Sequence, residues 1–171
     1  MNNTMFVVAQ IFGVLGMISS ILSMQFKDRK QIFVTLLFLN LFSALNFICL
    51  GRPSGGAIEL FGIVELIVNN QFERRNQKVP IPIIAAYIVI TIGIGIATAS
   101  AAIDAIIITA AIGYCFTILL KNEQKIRLLW MVVLAAYVIY DLLTGAYVFA
   151  ASSFLSIIST LLAYLRFRKN V

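Results

Sequence analysis

Seven runs of largely apolar residues follow one another along this chain, and only short polar stretches separate them. An α-helix needs about 20 such residues to cross the hydrocarbon part of a bilayer. Lipid offers no hydrogen bonds, so each crossing segment must pair its own backbone groups, which favours helices. The runs lie at approximately 5–25, 32–50, 56–72, 80–98, 101–120, 128–145 and 147–165.

The composition agrees with burial in lipid rather than in a soluble core. Of the 171 residues, 61% are hydrophobic and 12% are charged. A soluble domain is about half apolar and about a quarter charged. We therefore predict an all-α integral membrane protein whose main partner is the lipid bilayer. The net charge of +6 resides in the short loops, so we expect no nucleic acid partner.

The basic residues indicate the orientation of the helices. Lys27, Arg29 and Lys30 follow the first run, and groups of three also follow the third, fifth and seventh runs. With seven spans, twelve of the thirteen basic residues lie on one face, and only Arg52 lies opposite. Cytoplasmic loops are enriched in Lys and Arg. This pattern predicts an N-terminus outside and a C-terminus in the cytoplasm.

The first and last parts of the chain have the same spacing of apolar spans and basic loops. A shift of 94 positions places Lys27 on Lys121 and Gly51 on Gly145, and the spans and basic loops then coincide without a gap. Two parallel three-span units need one linking span between them, and some transporters have this plan. We therefore predict a 3+1+3 arrangement with repeats at 1–75 and 100–171 and a linker helix at 76–99. The alternative is that any two helical hairpins align in hydropathy.

Several short stretches are spread across most of the chain: Ala9-Gln10, Gly13-Val14, Phe26-Lys27-Asp28-Arg29, Asn46-Phe47, Leu50-Gly51, Gly56-Ala57, Val138-Ile139, Gly145, Ser153-Phe154-Leu155 and Arg166. These stretches resemble the YgjV family of bacterial inner-membrane proteins. The predicted architecture is also similar, more distantly, to SWEET-type, PQ-loop and PnuC transporters. These resemblances imply a bacterial inner-membrane location, a SWEET-like fold and a transport function.

Glu65 lies deepest in its span, within GIVELIV, with no basic residue near it in the sequence. Ionisable groups in a membrane are costly and are often functional. Burial favours the neutral carboxyl, which makes Glu65 a candidate proton carrier or substrate contact. The alternative is a neutral Glu that is hydrogen-bonded to a neighbouring helix.

A candidate binding pocket follows from residues near the outer ends of the second and sixth spans. Asn46, Tyr137, Tyr140 and Asp141 would offer stacking and hydrogen bonds to a small polar ring. Packing between helices is the alternative reading of the same residues. Neither a metal nor a cofactor is expected, since the chain has no His.

Glu59, Asp104 and Arg52 also fall near outer ends and could line an outward-facing vestibule. An acidic mouth would attract cations or amines by its field. Equally, these side chains could reach lipid headgroups.

We expect a transporter or facilitator for a small solute, such as a sugar, a vitamin or nucleoside-like compound or an amine. The alternative is a membrane partner that does not transport, such as an immunity or regulatory protein. No pairing typical of an enzyme is evident, so catalysis is not expected. The oligomeric state, including a homo-oligomer, stays open.

Overall fold

The computed structural model describes residues 3–26, 29–120 and 123–167, and within these residues it contains seven α-helices and no strand. The helices are α1 (Asn3–Gln25), α2 (Arg29–Cys49), α3 (Pro53–Arg74), α4 (Ile81–Thr98), α5 (Asp104–Leu119), α6 (Glu123–Thr144) and α7 (Tyr147–Phe167). The expectation of an all-α fold with one helix per apolar run is confirmed. The largest difference is at the start of α6, predicted at 128 and observed at Glu123.

Among the described residues, five helices are long and apolar enough to cross a membrane: α1, α2, α4, α6 and α7. The apolar helix α5 is shorter, with 16 residues. Helix α3 has 22 residues, but Glu59, Glu65, Asn69 and Asn70 interrupt its apolar sequence. The outward faces of the bundle carry many exposed large apolar side chains, as a surface in contact with lipid requires.

Four of the basic residues that set the predicted orientation, Lys27, Lys121, Arg168 and Lys169, lie outside the described residues. Asp28 of the stretch Phe26-Lys27-Asp28-Arg29 lies outside them too.

Two glycine turns have the same geometry. Gly51, after α2, has a φ of 71°, and Gly145, after α6, has a φ of 85°. At the first turn the Arg52 N–H donates to the Phe47 carbonyl at 2.8 Å, and at the second the Ala146 N–H donates to the carbonyl five residues before it, also at 2.8 Å. This bond satisfies a carbonyl at the helix end, and glycine takes the left-handed conformation without a Cβ clash. Each turn therefore reverses the chain within a few residues.

Six helices form a closed ring around the centre of the molecule. Helix α2 lies between α1 and α3, and α6 lies between α5 and α7. Contacts of α1 with α7 and of α3 with α5 close the ring, while α4 lies outside it against α3 and α5. A hydrogen bond of 2.9 Å from Gln10 to the Gly145 carbonyl joins α1 to the α6–α7 turn. Another, of 3.1 Å, joins Tyr87 of α4 to Asn69 of α3.

The main apolar core lies at one end of this ring, where α2 and α6 end and where α1, α3, α5 and α7 begin. Its buried members are Ala9, Phe47, Leu50, Ile58, Ile107, Ala111, Tyr140, Ala146 and Phe149. In a smaller core, Ile84 and Tyr87 of α4 pack with Cys115 of α5. The main core therefore closes one end of the space inside the ring.

Candidate functional site

A central cavity of about 410 Å³ lies inside the ring, and its lining comes from all six ring helices and from Thr91 of α4. Sites for small molecules typically enclose about 300–1,000 Å³. The lining starts at Phe47 and Phe149, which belong to the main apolar core. It extends toward the opposite end of the ring as far as Ser23 and Thr160. The central cavity is thus large enough for a small solute and is closed on one side.

Three carboxyl groups line the central cavity. Glu59 and Glu65 come from α3, and Asp141 comes from α6. In the part of the chain that the structure describes, no Lys or Arg lines the cavity. As far as the described residues go, the ionisable carboxyls of the lining therefore have no basic counterpart in it.

Both α3 carboxyls contact neighbouring helices. The Glu59 carboxyl lies beside the side-chain hydroxyl groups of Tyr137 of α6 and Ser43 of α2. Glu65 is buried, and its Oε1 lies 3.8 Å from the Cys115 Sγ on α5. A thiol is only a weak donor, so Glu65 has a weaker protein partner than Glu59.

Asp141 differs from both glutamates. Its side chain is 1% exposed, and its Oδ1 has no hydrogen-bond partner among the residues that the structure describes. Buried polar atoms are almost always paired, and an unpaired one costs about 1–3 kcal/mol or more when charged. Asp141 therefore lines the cavity with a side chain that has one buried carboxyl oxygen left unpaired.

Aromatic rings form further parts of the wall. Tyr114 of α5 and Trp130 of α6 pack with ring centroids 5.7 Å apart and planes tilted by 58°. Both line the central cavity, as does Tyr137. Phe47 and Phe149 stack at 6.5 Å at the closed end. The cavity thus combines carboxylates with π-surfaces.

Hydroxyl groups on α7 make another part of the wall, which sequence reasoning missed. Ser152, Ser153, Ser156, Ser159 and Thr160 all line the cavity. Their spacing places them on one helical face, since residues three, four or seven apart are neighbours on a helix. This spacing is the feature of the sequence from which the cavity face of α7 could have been predicted. Hydroxyls in a helix also bond to their own backbone, however, as Ser156 does to the Ser152 carbonyl at 2.9 Å.

The structure brings together four of the sequence-predicted residues. Glu65, Tyr137 and Asp141 line the central cavity, and so does Glu59, which was expected in a vestibule. Asn46 does not line the cavity. It is fully buried, and its Nδ2 donates to the Ala9 carbonyl at 2.6 Å.

Tyr140 and Asp104 contact each other in the interior, away from the lining. The Tyr140 hydroxyl lies 3.2 Å from the Asp104 Oδ1 and donates to it. The Asp104 Oδ2 accepts from the backbone N–H groups of Ser100, at 2.7 Å, and Ala101, at 3.0 Å. Asp104 therefore fixes the turn before α5. Arg52 lies in the α2–α3 turn, also outside the lining.

A search of curated proteins and a search of solved structures found no match. A family profile, Imp-YgjV, described as a bacterial inner membrane protein, matches residues 7–171 and confirms the resemblance seen in the sequence. Together with the five spanning-length helices, this match makes the protein a multi-pass protein of the bacterial inner membrane. The chain belongs to the Imp-YgjV family of bacterial inner membrane proteins.

Proposed function

We propose that this protein is a transporter or facilitator for a small polar solute, which binds in the central cavity between two three-helix units. The observation that carries the proposal is the cavity itself, enclosed by α1–α3 on one side and by α5–α7 on the other. A protein that only packs against a partner has no need for an interior space of this size lined with carboxyls and hydroxyls.

The pattern of helix contacts supports a SWEET-like 3+1+3 repeat within this proposal. If α1, α2 and α3 correspond to α5, α6 and α7, the contacts α1–α2 and α2–α3 correspond to α5–α6 and α6–α7. The contact α3–α5 then corresponds to α7–α1. Every contact within the ring thus has its counterpart, and α4 supplies the single linking helix.

The lining of the cavity supports the same repeat. Ten pairs of lining residues stand 94 positions apart, which is the shift found in the sequence. They are Ser20 with Tyr114, Leu36 with Trp130, Asn40 with Leu134, Ser43 with Tyr137, Phe47 with Asp141, Ile58 with Ser152, Glu59 with Ser153, Gly62 with Ser156, Glu65 with Ser159 and Leu66 with Thr160. The two units therefore present equivalent faces to the centre with different chemistry, since both α3 carboxyls correspond to α7 serines.

The proposed topology has seven spans, with the N-terminus outside and the C-terminus in the cytoplasm, as the basic loops indicate. In this orientation the main apolar core closes the cavity on the outer side. The lining then extends toward the cytoplasmic ends of the helices. Alternating closure of the two ends would let a solute cross.

Filling the cavity tests the proposal. Ser156 lines the cavity, whereas its neighbour Leu155 is 60% exposed on the outside of the bundle. Purified wild-type protein, Ser156→Trp and Leu155→Trp would be reconstituted in liposomes and assayed for tracer uptake of sugars, nucleosides and amines. We expect at least one class to enter faster with wild type and with Leu155→Trp than with Ser156→Trp, because only the last blocks the cavity.

Equal uptake by all three folded proteins across the whole panel would overturn the transport proposal. It would favour the membrane partner that does not transport.

A further inference from the structure

We infer that the solute is a small organic cation, a protonated amine or quaternary ammonium with an apolar group, and that Asp141 and Glu59 provide its counter-charges. This inference rests on the proposed transport function, because it names the solute class for the same cavity. It is carried by the charge, the unpaired oxygen and the aromatic wall of the central cavity.

The charge balance of the cavity is one-sided. Glu59, Glu65 and Asp141 line it, and none of the lining residues in the described ranges is basic. A charge taken out of water needs a partner of opposite sign or hydrogen-bond donors to replace its lost hydration. A cationic solute supplies both to these carboxyls, whereas an anionic solute would add like charge.

Two buried aspartates of the protein differ in their hydrogen bonding. Asp104 has no exposed area, and its oxygens accept hydrogen bonds from Tyr140, Ser100 and Ala101. Asp141 is equally buried, but its Oδ1 has no partner within the described part of the chain. Asp104 is thus satisfied by the fold, whereas Asp141 leaves an acceptor unused at the cavity wall.

The positions of the carboxyls favour an extended solute over a bare ion. Glu59 and Glu65 are six residues apart, which is about 9 Å along a helix axis. Aromatic rings share the cavity lining with them, since Tyr137 and the packed Tyr114–Trp130 pair also line the wall. Ring faces attract ammonium groups by about 0.5–2 kcal/mol. An ammonium group with an apolar substituent matches this combination.

The experiment uses Trp130, the single Trp of the chain, as a reporter in the cavity wall. The purified full-length protein in detergent would be titrated at pH 7 with benzylammonium, with the neutral benzyl alcohol and with the anionic benzoate. We expect saturable fluorescence changes with benzylammonium and at least tenfold weaker binding of the other two. This comparison needs no variant.

Three substitutions then locate the charge. Asp141→Asn and Glu59→Gln keep the shape of the side chain and should each raise the Kd of benzylammonium at least tenfold, which corresponds to about 1.4 kcal/mol. Glu73→Gln removes an exposed carboxyl outside the cavity and should leave the Kd unchanged. Elution as one monodisperse species verifies that each variant is folded.

Two results would overturn the cation inference. One is equal binding of benzyl alcohol and benzylammonium by wild type, and the other is no saturable response to benzylammonium. Either result leaves the transport proposal standing if Ser156→Trp still blocks uptake of another solute. Loss of the transport proposal would instead appear as equal uptake by Ser156→Trp and Leu155→Trp.

Discussion

Replacing Tyr140 with Phe removes one hydroxyl from the interior and leaves the ring in place. The Tyr140 hydroxyl donates to the Asp104 Oδ1 at 3.2 Å, and the residue is fully buried. Hydrogen bonds between hydroxyl and oxygen are usually 2.7–2.8 Å long, so this bond lies at the weak end. Interhelical hydrogen bonds in membrane proteins contribute about 0.6 kcal/mol on average and about 1.7 at most. We expect Tyr140→Phe to lower the free energy of unfolding by about 1 kcal/mol.

Tyr140→Ala should cost about 3–5 kcal/mol, as for other large aromatic truncations. It also removes the ring that packs edge-on against Phe47 at 5.3 Å. The free energies would be measured by SDS-induced unfolding in mixed micelles, with Tyr147→Phe, at an exposed site, as the control. That control should stay within about 0.5 kcal/mol of wild type.

Binding of benzylammonium should not change in Tyr140→Phe, because Tyr140 does not line the cavity. Equal losses of stability in Tyr140→Phe and Tyr140→Ala would refute the small contribution expected of the hydroxyl. Tenfold weaker benzylammonium binding by Tyr140→Phe at unchanged stability would refute its structural role, since Tyr140 would then contact the solute.

Two further predictions concern packing and orientation. A Cβ at Gly95 would collide with the Ile108 side chain, whereas one at Gly93 would meet no atom within 4 Å. In the same unfolding assay, Gly95→Ala should therefore lower the free energy of unfolding by about 1–3 kcal/mol. Gly93→Ala should leave this free energy unchanged or raise it by up to about 1 kcal/mol. Equal effects of the two substitutions would contradict this packing. For orientation, single cysteines in a variant without native cysteines would be labelled in intact cells by an impermeant maleimide. Ala102→Cys should react and Asn76→Cys should not, and the reverse would invert the proposed topology.

The sequence was sufficient for the positions of the helices, because the signals for their ends are local. Apolar runs of membrane-spanning length fix their number, and Gly51 and Gly145 fix two of the turns, each with a positive φ. These features depend on a few neighbouring residues, so no knowledge of the tertiary structure is needed. The helix boundaries could therefore be predicted to within a few residues.

The sequence could not show in the same way which face of each helix meets lipid, another helix or the cavity. Lipid is as apolar as a Leu side chain, so hydropathy does not separate the outside of a membrane helix from its packed inside. Asn46 and Tyr140 looked suitable for a pocket, yet each bonds to another helix in the packed interior. Glu59 looked interfacial but lies in the cavity wall. Only the tertiary contacts distinguish these cases.

The polar groups of α3 have a consequence for the assembly of the protein in the membrane. Helix α3 contributes two carboxyls to the cavity, those of Glu59 and Glu65. It is not among the helices that are long and apolar enough to cross a membrane. A carboxylate near the middle of a helix opposes transfer of that helix from the translocon into lipid. On the proposed topology, α3 enters the bilayer together with α2, with which it packs through the tight Gly51 turn. If the protein carries a solute as proposed, the carboxyls that would hold it would thus also favour insertion of α3 as a pair with α2.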